Sequence, residues 1–322
     1  MTTSDATQRL LDRLEQETGV PDLARLLAER LSPSELTTLL LDVYRRHAEV
    51  RTPSVVLADF ERDRFSRPSK VSPAALARFE TLAFGCLPDA FDPVALSPVC
   101  PLGTSSVVAG VSQHWAVATS RGSEVVSDAT NVLALEVASR RRALLRADPR
   151  SRQAVHLAAH HRLLRPQVFK GPNQTAHFAL LALVSGARAG SGRSVEAQLV
   201  ALHLRAHLRV IQAAAGAVVP LRVVLTDFSG RNGVPGLVEE LLEPLGREFD
   251  TVVFEVAPER QGGRNYYAGL AFQVFGRAED EEVFLVDGGE VAWLARLLSN
   301  DKERAVVSGL GSERFTSVFG AR

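Results

Sequence analysis

Apolar residues recur at helical spacing through residues 4–48. "TQRLLDRLEQ" carries leucine on one face, "VPDLARLLAERL" opens with Pro-Asp at a helix start, and "SPSELTTLLLDVYRRH" begins on a Ser-Pro-Ser-Glu cap. "RTPSVVLADFERDRFSRPSKVSP" follows, and its prolines at 53, 68 and 73 predict a connector with a boundary somewhere in 50–72, before the helix "SPAALARFETLAF". From about residue 90 the pattern changes to extended segments with turns, then to the periodic helix "TNVLALEVASRRRALL". "AVHLAAHHRLLRPQVF" and "AHFALLALVSGAR" read as two strands joined by a Gly-Pro-Asn loop, and "VEAQLVALHLRAHLRVIQAA" as a long helix. Four more apolar runs of strand length come next: "LRVVLTDF", "DTVVFEVAPE", "YYAGLAFQVFG" and "EVFLVDGG". The helix "EVAWLARLLS" and the strand, turn and helix of "AVVSGLGSERFTSVF" complete the chain. Strands pair as hairpins and outnumber helices after residue 90, so the expected class is α+β, a mainly antiparallel sheet flanked by helices with an N-terminal helical module. The division expected is 1–85 for that module and its connector, and 86–322 for the core.

Composition narrows the function classes. With 46% hydrophobic and 23% charged residues in 322, the chain can build a sizeable core. Lys+Arg and Asp+Glu balance at 37 each, which leaves no overall basic field for nucleic acid, so any such site must be local. Lysine occurs only at Lys70, Lys170 and Lys302, which draws attention to each of them. Cys86 and Cys100 stand in apolar contexts and cannot build a metal cage. The N-terminus lacks a basic and apolar leader pattern, and no apolar run approaches the ~18 residues of a membrane helix, so a cytoplasmic protein is expected. No Gly-x-Gly-x-x-Gly follows a first strand and no Walker sequence appears, which disfavours a doubly wound nucleotide fold.

Four stretches stand in a telling order: "EVVSDATNVLALEVASRRR", "RLLRPQVFKGPNQTAHFALLALVSG", "GRNYYAGLAFQVFG" with "DGGEVAWLARLL" after it, and "VVSGLGSERF". Together they resemble the catalytic core of class II aminoacyl-tRNA synthetases, and within it the histidyl-tRNA synthetase group, over roughly residues 90–322. By that resemblance Arg314 is the third-motif arginine against the ATP phosphates, beside Glu313, with Gly309 and Gly311 allowing close approach. Arg162 is the second-motif arginine on the α-phosphate, the Arg-Pro-Gln triplet 165–167 and Lys170-Gly171 lie in its loop, and Phe178 stacks on adenine. Asp128 and Thr130 hold the amino group of an amino acid. Tyr266 and Tyr267, with Gly269 and Phe272, match the Tyr-Tyr-x-Gly-x-x-Phe signature of the amino-acid pocket. The departures are Leu164 for glutamate, Leu180 for glutamine, Val126 for arginine, and Gly288-Gly289 without the Arg-Tyr-Asp that follows in the group. The resemblance implies ATP and Mg2+ as cofactors, a small amino-acid-like ligand and a homodimer. It leaves no counterpart of the anticodon-binding domain, so tRNA is not an expected partner.

The residues themselves leave alternatives open. Arginine suits an α-phosphate because it stays charged and offers paired planar donors, yet Arg162 and Arg314 could equally be surface residues at strand or helix ends. Asp128 stands where an acid often only caps a helix, and Phe178 where a core phenylalanine is common. On one strand Tyr266 and Tyr267 would point to opposite faces, so that one at most enters a pocket. His156 and His160 are four apart but lack a third ligand at useful spacing, so no metal site is expected. The arginines at 140–142, 146 and 150 suit a solvated helix C-terminus, or a local phosphate or RNA contact.

Three functional readings follow. The first is a histidyl-tRNA synthetase-like paralog that binds ATP and a small amino-acid-like ligand and, if active, is an ATP-dependent ligase forming an aminoacyl adenylate. The second is a non-catalytic regulatory or assembly subunit resembling the ATP phosphoribosyltransferase regulatory subunit. The third makes the leucine faces of the N-terminal helices a docking site for a protein partner.

Overall fold

The computed structural model describes residues 5–167, 176–215, 218–229, 235–279 and 281–320. They divide into two compact units, Met1–Asp63 with Ala118–Ser123, and Arg64–Val117 with Glu124–Arg322. The first unit holds α1 (Asp5–Thr18), α2 (Leu23–Glu29), α3 (Pro33–Glu49) and α4 (Pro53–Arg62). Local chemistry defines these helices: Ser32 and Glu35 form a reciprocal capping box at α3, and Thr52 caps α4. Pro53 therefore starts a helix where the sequence predicts a connector, because its missing N–H falls at a position that has no helical acceptor. None of the side chains of α1–α4 is buried.

The chain passes from the first unit to the second between Asp63 and Arg64. Helix α5 (Pro73–Cys86), which the sequence reading groups with the N-terminal module, packs into the second unit through Phe79 and Ala83. That unit continues with β1 (Asp92–Pro93), β2 (Val99–Pro101), β3 (Ser123–Val125), α6 (Ala129–Ala147), β4 (Val155–Leu164), β5 (His177–Arg188), α7 (Ser194–Ala214), β6 (Leu221–Asp227), α8 (Pro235–Glu248), β7 (Val252–Val256), β8 (Leu270–Ala278), β9 (Glu281–Val291), α9 (Trp293–Leu298), β10 (Glu303–Leu310) and α10 (Ser312–Phe319). Eight strands form one sheet in the order β1-β4-β5-β10-β9-β8-β6-β7. Pairing is antiparallel except for β1 with β4 and β6 with β7.

The central strands read as continuous apolar runs because both faces are covered. On β10, Val306 and Leu310 join the core that contains Leu204, Leu208 and Ile211 of α7, whereas Ala305 and Val307 join the core that contains Leu133 and Val137 of α6. The α+β class expected from the hairpin pattern is the one observed. Burial on this scale is stabilising at roughly 25 cal/mol per Å² of apolar surface, which fixes the sheet and so the residues at its edges.

Candidate functional site

A cavity of about 1120 Å³ opens where β5 begins and β10 ends, between the start of α6, the turn before β8 and the start of α10. It lies wholly within the second unit. The antiparallel register brings its parts together: Leu310 faces Leu181, and Gly309 stands opposite both Ala182 on β5 and Asp287 on β9.

One group of lining residues is acidic and aromatic. Asp128 is the N-cap of α6, and its Oδ1 accepts from the backbone N–H of Thr130 at 3.0 Å and from the Thr130 hydroxyl at 2.8 Å. Its other oxygen accepts from Arg165 Nη2 at 3.1 Å, and Arg165 Nε donates to the Ser127 carbonyl at 2.9 Å. The helix cap and the cavity-lining position are thus the same residue. Tyr266 and Tyr267 correct the strand expectation, because they lie in a turn whose two amides both donate to the Gly263 carbonyl at 3.0 Å. Gly263 has φ +93°, and a Cβ there would stand 2.8 Å from the Tyr267 ring, so only glycine closes this turn. Freed from strand alternation, both tyrosines line the cavity, their rings edge to face at 4.9 Å. Tyr266 also meets Trp293 edge-on, and Tyr267 stacks with Phe228.

Asp287 anchors this group from β9. Burial raises its pKa, opposed by the Arg260 guanidinium, which donates to it at 2.9 Å, and by a hydrogen bond from Tyr267. Burial pushes both tyrosine hydroxyls well up, so they are neutral donors at any physiological pH. A ligand here meets carboxylates and hydroxyls, a surface suited to an ammonium group.

The other group is cationic. Arg314, in the first turn of α10, lines the cavity while one of its Nη atoms donates to the Phe284 carbonyl at 3.1 Å. Lys70 and Arg78 line it too. Phe178 faces the same space with the Arg165 guanidinium 5.1 Å from its ring centroid. Gly311 leaves open space where a side chain would project, with only Arg314 Cβ near, at 3.9 Å. Gly309 differs, since a Cβ there would crowd Leu180 at 3.0 Å, so its glycine serves the packing of that leucine.

Arg162 is not among the lining residues. It forms an ion pair with Glu313, which does line the cavity, and lies 2.9 Å from His177 Nδ1. Glu313 is buried in the first turn of α10, where a negative charge is also favoured by the helix dipole. Leu180 lines the cavity and Leu164 does not; the latter's amide instead donates to the Val126 carbonyl at 3.0 Å. The structure thus gathers Asp128, Thr130, Tyr266, Tyr267, Phe178, Gly309, Gly311, Glu313 and Arg314 around one space and leaves Arg162 one residue removed. Lys170 and Gly171 lie outside the described residues. Sequence reasoning missed Asp287 and Lys70 as cavity-lining residues and Arg260 as the partner of Asp287. Asp287 directly precedes the Gly-Gly pair and Lys70 is one of three lysines, so both left a signal. Arg260 left none.

No family model and no curated protein matches the chain by sequence. Among solved structures it is similar to an ATP phosphoribosyltransferase regulatory subunit/histidyl-tRNA synthetase from Bacillus halodurans C, at TM-score 0.54 and 15% identity, over 79% of this chain and 82% of that one. It is similar to the apo histidyl-tRNA synthetase of S. aureus at TM-score 0.53 and 15% identity, over 77% of this chain and 67% of the other. A histidine–tRNA ligase subunit from Alicyclobacillus acidocaldarius gives TM-score 0.53 and 15% identity, over 77% of this chain and 95% of its own. By fold, the chain is class II aminoacyl-tRNA synthetase-like, of the form shared by histidyl-tRNA synthetase and the ATP phosphoribosyltransferase regulatory subunit.

Proposed function

We propose that the protein is a histidyl-tRNA synthetase-like paralog that binds a small α-amino acid and ATP together in this cavity and joins them as an aminoacyl adenylate, a carboxylate oxygen bonding to the α-phosphorus as its bond to the departing pyrophosphate breaks. The observation that supports the reading is the coexistence, in one space of about 1120 Å³, of an acidic, hydroxyl-rich group and a cationic group beside an aromatic ring. Asp128, Thr130 and Asp287 suit the ammonium of the amino acid, and Arg165 beside Asp128 suits its carboxylate. Arg314 and Lys70 suit the phosphates, Phe178 the adenine, and Gly311 a close approach. Holding carboxylate and α-phosphate side by side supplies most of what such a transfer needs, since proximity and fixed charge do the work.

Magnesium fits as a nucleotide-borne ion. The three lining carboxylates are each already paired with an arginine, Asp128 with Arg165, Asp287 with Arg260 and Glu313 with Arg162. Among the described residues no group of three or more His, Cys, Asp or Glu is placed to hold a metal. When bound, Mg2+ would neutralise phosphate charge, and phosphate oxygens would be its main ligands.

One observation favours the second reading, a regulatory or assembly subunit without catalysis: Arg162 is held by Glu313 and His177 outside the cavity lining. In either reading the class II-like fold makes a homodimer the assembly we infer, with the exposed leucines of α1–α4 as a surface for a further protein partner. ATP–pyrophosphate exchange with Mg2+ and the twenty amino acids pooled decides between the two. We expect exchange above background, abolished by Arg314→Ala in protein that stays folded. A silent pool with folded wild-type protein rejects catalysis and leaves the regulatory reading.

A further inference from the structure

A second hollow, of about 460 Å³, lies at the far end of the same strands. Arg150 and Arg152 line it from the segment before β4, Arg188 from the end of β5, and Lys302 from the turn before β10; Ala189 and Gly190 complete the lining. The sheet fixes these segments against one another. Arg188 pairs in register with Glu303, and the Ala189 amide donates to the Lys302 carbonyl at 2.7 Å.

Four cations converge there, and no carboxylate lines the hollow. Arg140, Arg141, Arg165, Arg193, Arg222 and Arg260 of the same unit sit in ion pairs. Among the described residues Arg150, Arg152, Arg188 and Lys302 form no ion pair; Arg188 donates only to the Pro149 carbonyl at 3.3 Å. Asp148, Asp301 and Glu303 stand beside these residues in the chain, and none of them lines the hollow. Glu303 is fully buried and chelated by Arg141 through Nε and Nη2, both at 2.9 Å. Asp148 Oδ1 accepts the backbone N–H of Arg150 at 2.9 Å. In a chain of zero net charge, four cations around a hollow that no carboxylate lines favour an anion from outside.

We propose that this hollow is a binding site for a small polyphosphate anion, a ligand carrying a di- or triphosphate group. Its charge of three to four matches the four cations, three of them guanidinium groups that can fork onto phosphate oxygens. The hollow is also too small for a folded partner, and the segment carries no aromatic side chain on which an RNA base could stack. The site is separate from the cavity. Phe178 and Arg188 are ten residues apart on β5, which at the strand rise is roughly 33 Å.

Inorganic tripolyphosphate is the probe, titrated into the full chain by calorimetry at low salt, with Arg150→Ala/Arg152→Ala and Lys302→Ala variants and with Arg314→Ala. These are exposed or cavity-side residues whose replacement leaves the fold in place, which circular dichroism checks. The expected result is a saturable binding component that weakens at least tenfold in the double variant, weakens in Lys302→Ala, falls with added salt and persists in Arg314→Ala, which removes only the binding that belongs to the cavity. No binding to the wild-type chain overturns the proposal. So does binding lost in Arg314→Ala but kept in the double variant, which would assign the anion to the cavity. An RNA oligomer that binds the hollow without being displaced by tripolyphosphate overturns it as well.

Discussion

At the scale of single residues, Arg141 shows most clearly what a sequence hides. The run at 140–142 has the composition of a solvated helix end, and Arg140 fits that reading in pairing with Asp92 and Glu136. Arg141, one position along, points inward and is fully buried, with two bonds to Glu303 and its remaining donors on the Gln153 and Ser151 carbonyls. No charge pattern distinguishes the neighbours; only the helical phase against the sheet does. A buried pair of this kind adds little over an apolar replacement, but removing one partner strands a charge. Arg141→Leu should therefore destabilise the chain by about 3–5 kcal/mol in urea unfolding, and Arg141→Leu with Glu303→Leu should recover much of that loss. A single variant costing under about 1 kcal/mol would show that Glu303 finds water or another partner instead.

At the scale of elements, most strands and helices are legible because their apolar period is strong, as in β5 and α7. The exceptions have local causes. Helix α4 hides behind Thr-Pro, a pair that breaks a helix in its interior and begins one at its start. The Tyr-Tyr turn reads as strand because its residues are aromatic, although Gly263 at φ +93° forces a tight turn. Helix α7 also buries two histidines that sequence reasoning passed over. His203 bridges Ser308 and Ser185 at 2.7 and 2.8 Å, and His207 reaches Ser308 at 2.7 Å. Burial holds both neutral, His203 well below its ordinary range and His207 down to about 3. Their folded pKa values lie below the unfolded value of about 6.5, so the unfolded chain takes up protons first as pH falls. Their stabilisation is complete above about pH 6.5 and declines on acidification by about 1.4 kcal/mol per pH unit for each histidine. Urea midpoints at pH 7 and pH 5 should thus differ more for the wild type than for His203→Gln/His207→Gln. Equal differences would mean that these imidazoles protonate without unfolding.

At the scale of the whole molecule, the class II-like core was legible from the order of four short motifs, because the fold carries them to one cavity from strands far apart in sequence. The hollow with Lys302 was only half legible: the arginine run suggested phosphate, but the convergence depends on which strand ends meet. The apolar surface that remains speaks to assembly. Within the core unit, Val99, Leu102 and Val107 are exposed along one segment, at 38%, 53% and 68%, although their neighbours Cys100 and Val108 are buried. The segment is held firmly from beneath, since Glu124 accepts from the Gly103 and Ser105 amides and Arg296 donates to the Val107 and Val108 carbonyls. A fixed backbone that presents large apolar side chains to solvent is the mark of a surface made to be covered. A second copy of the chain is the covering partner proposed above, and a twofold interface doubles the effect of any one change because each patch meets its equivalent. The wild-type chain should sediment as a dimer at micromolar concentration, and Val107→Asp should shift it to monomer with the circular dichroism spectrum unchanged. A wild-type monomer under those conditions would reject the dimer, and a Val107→Asp dimer as stable as the wild type would move the interface to another face of the core.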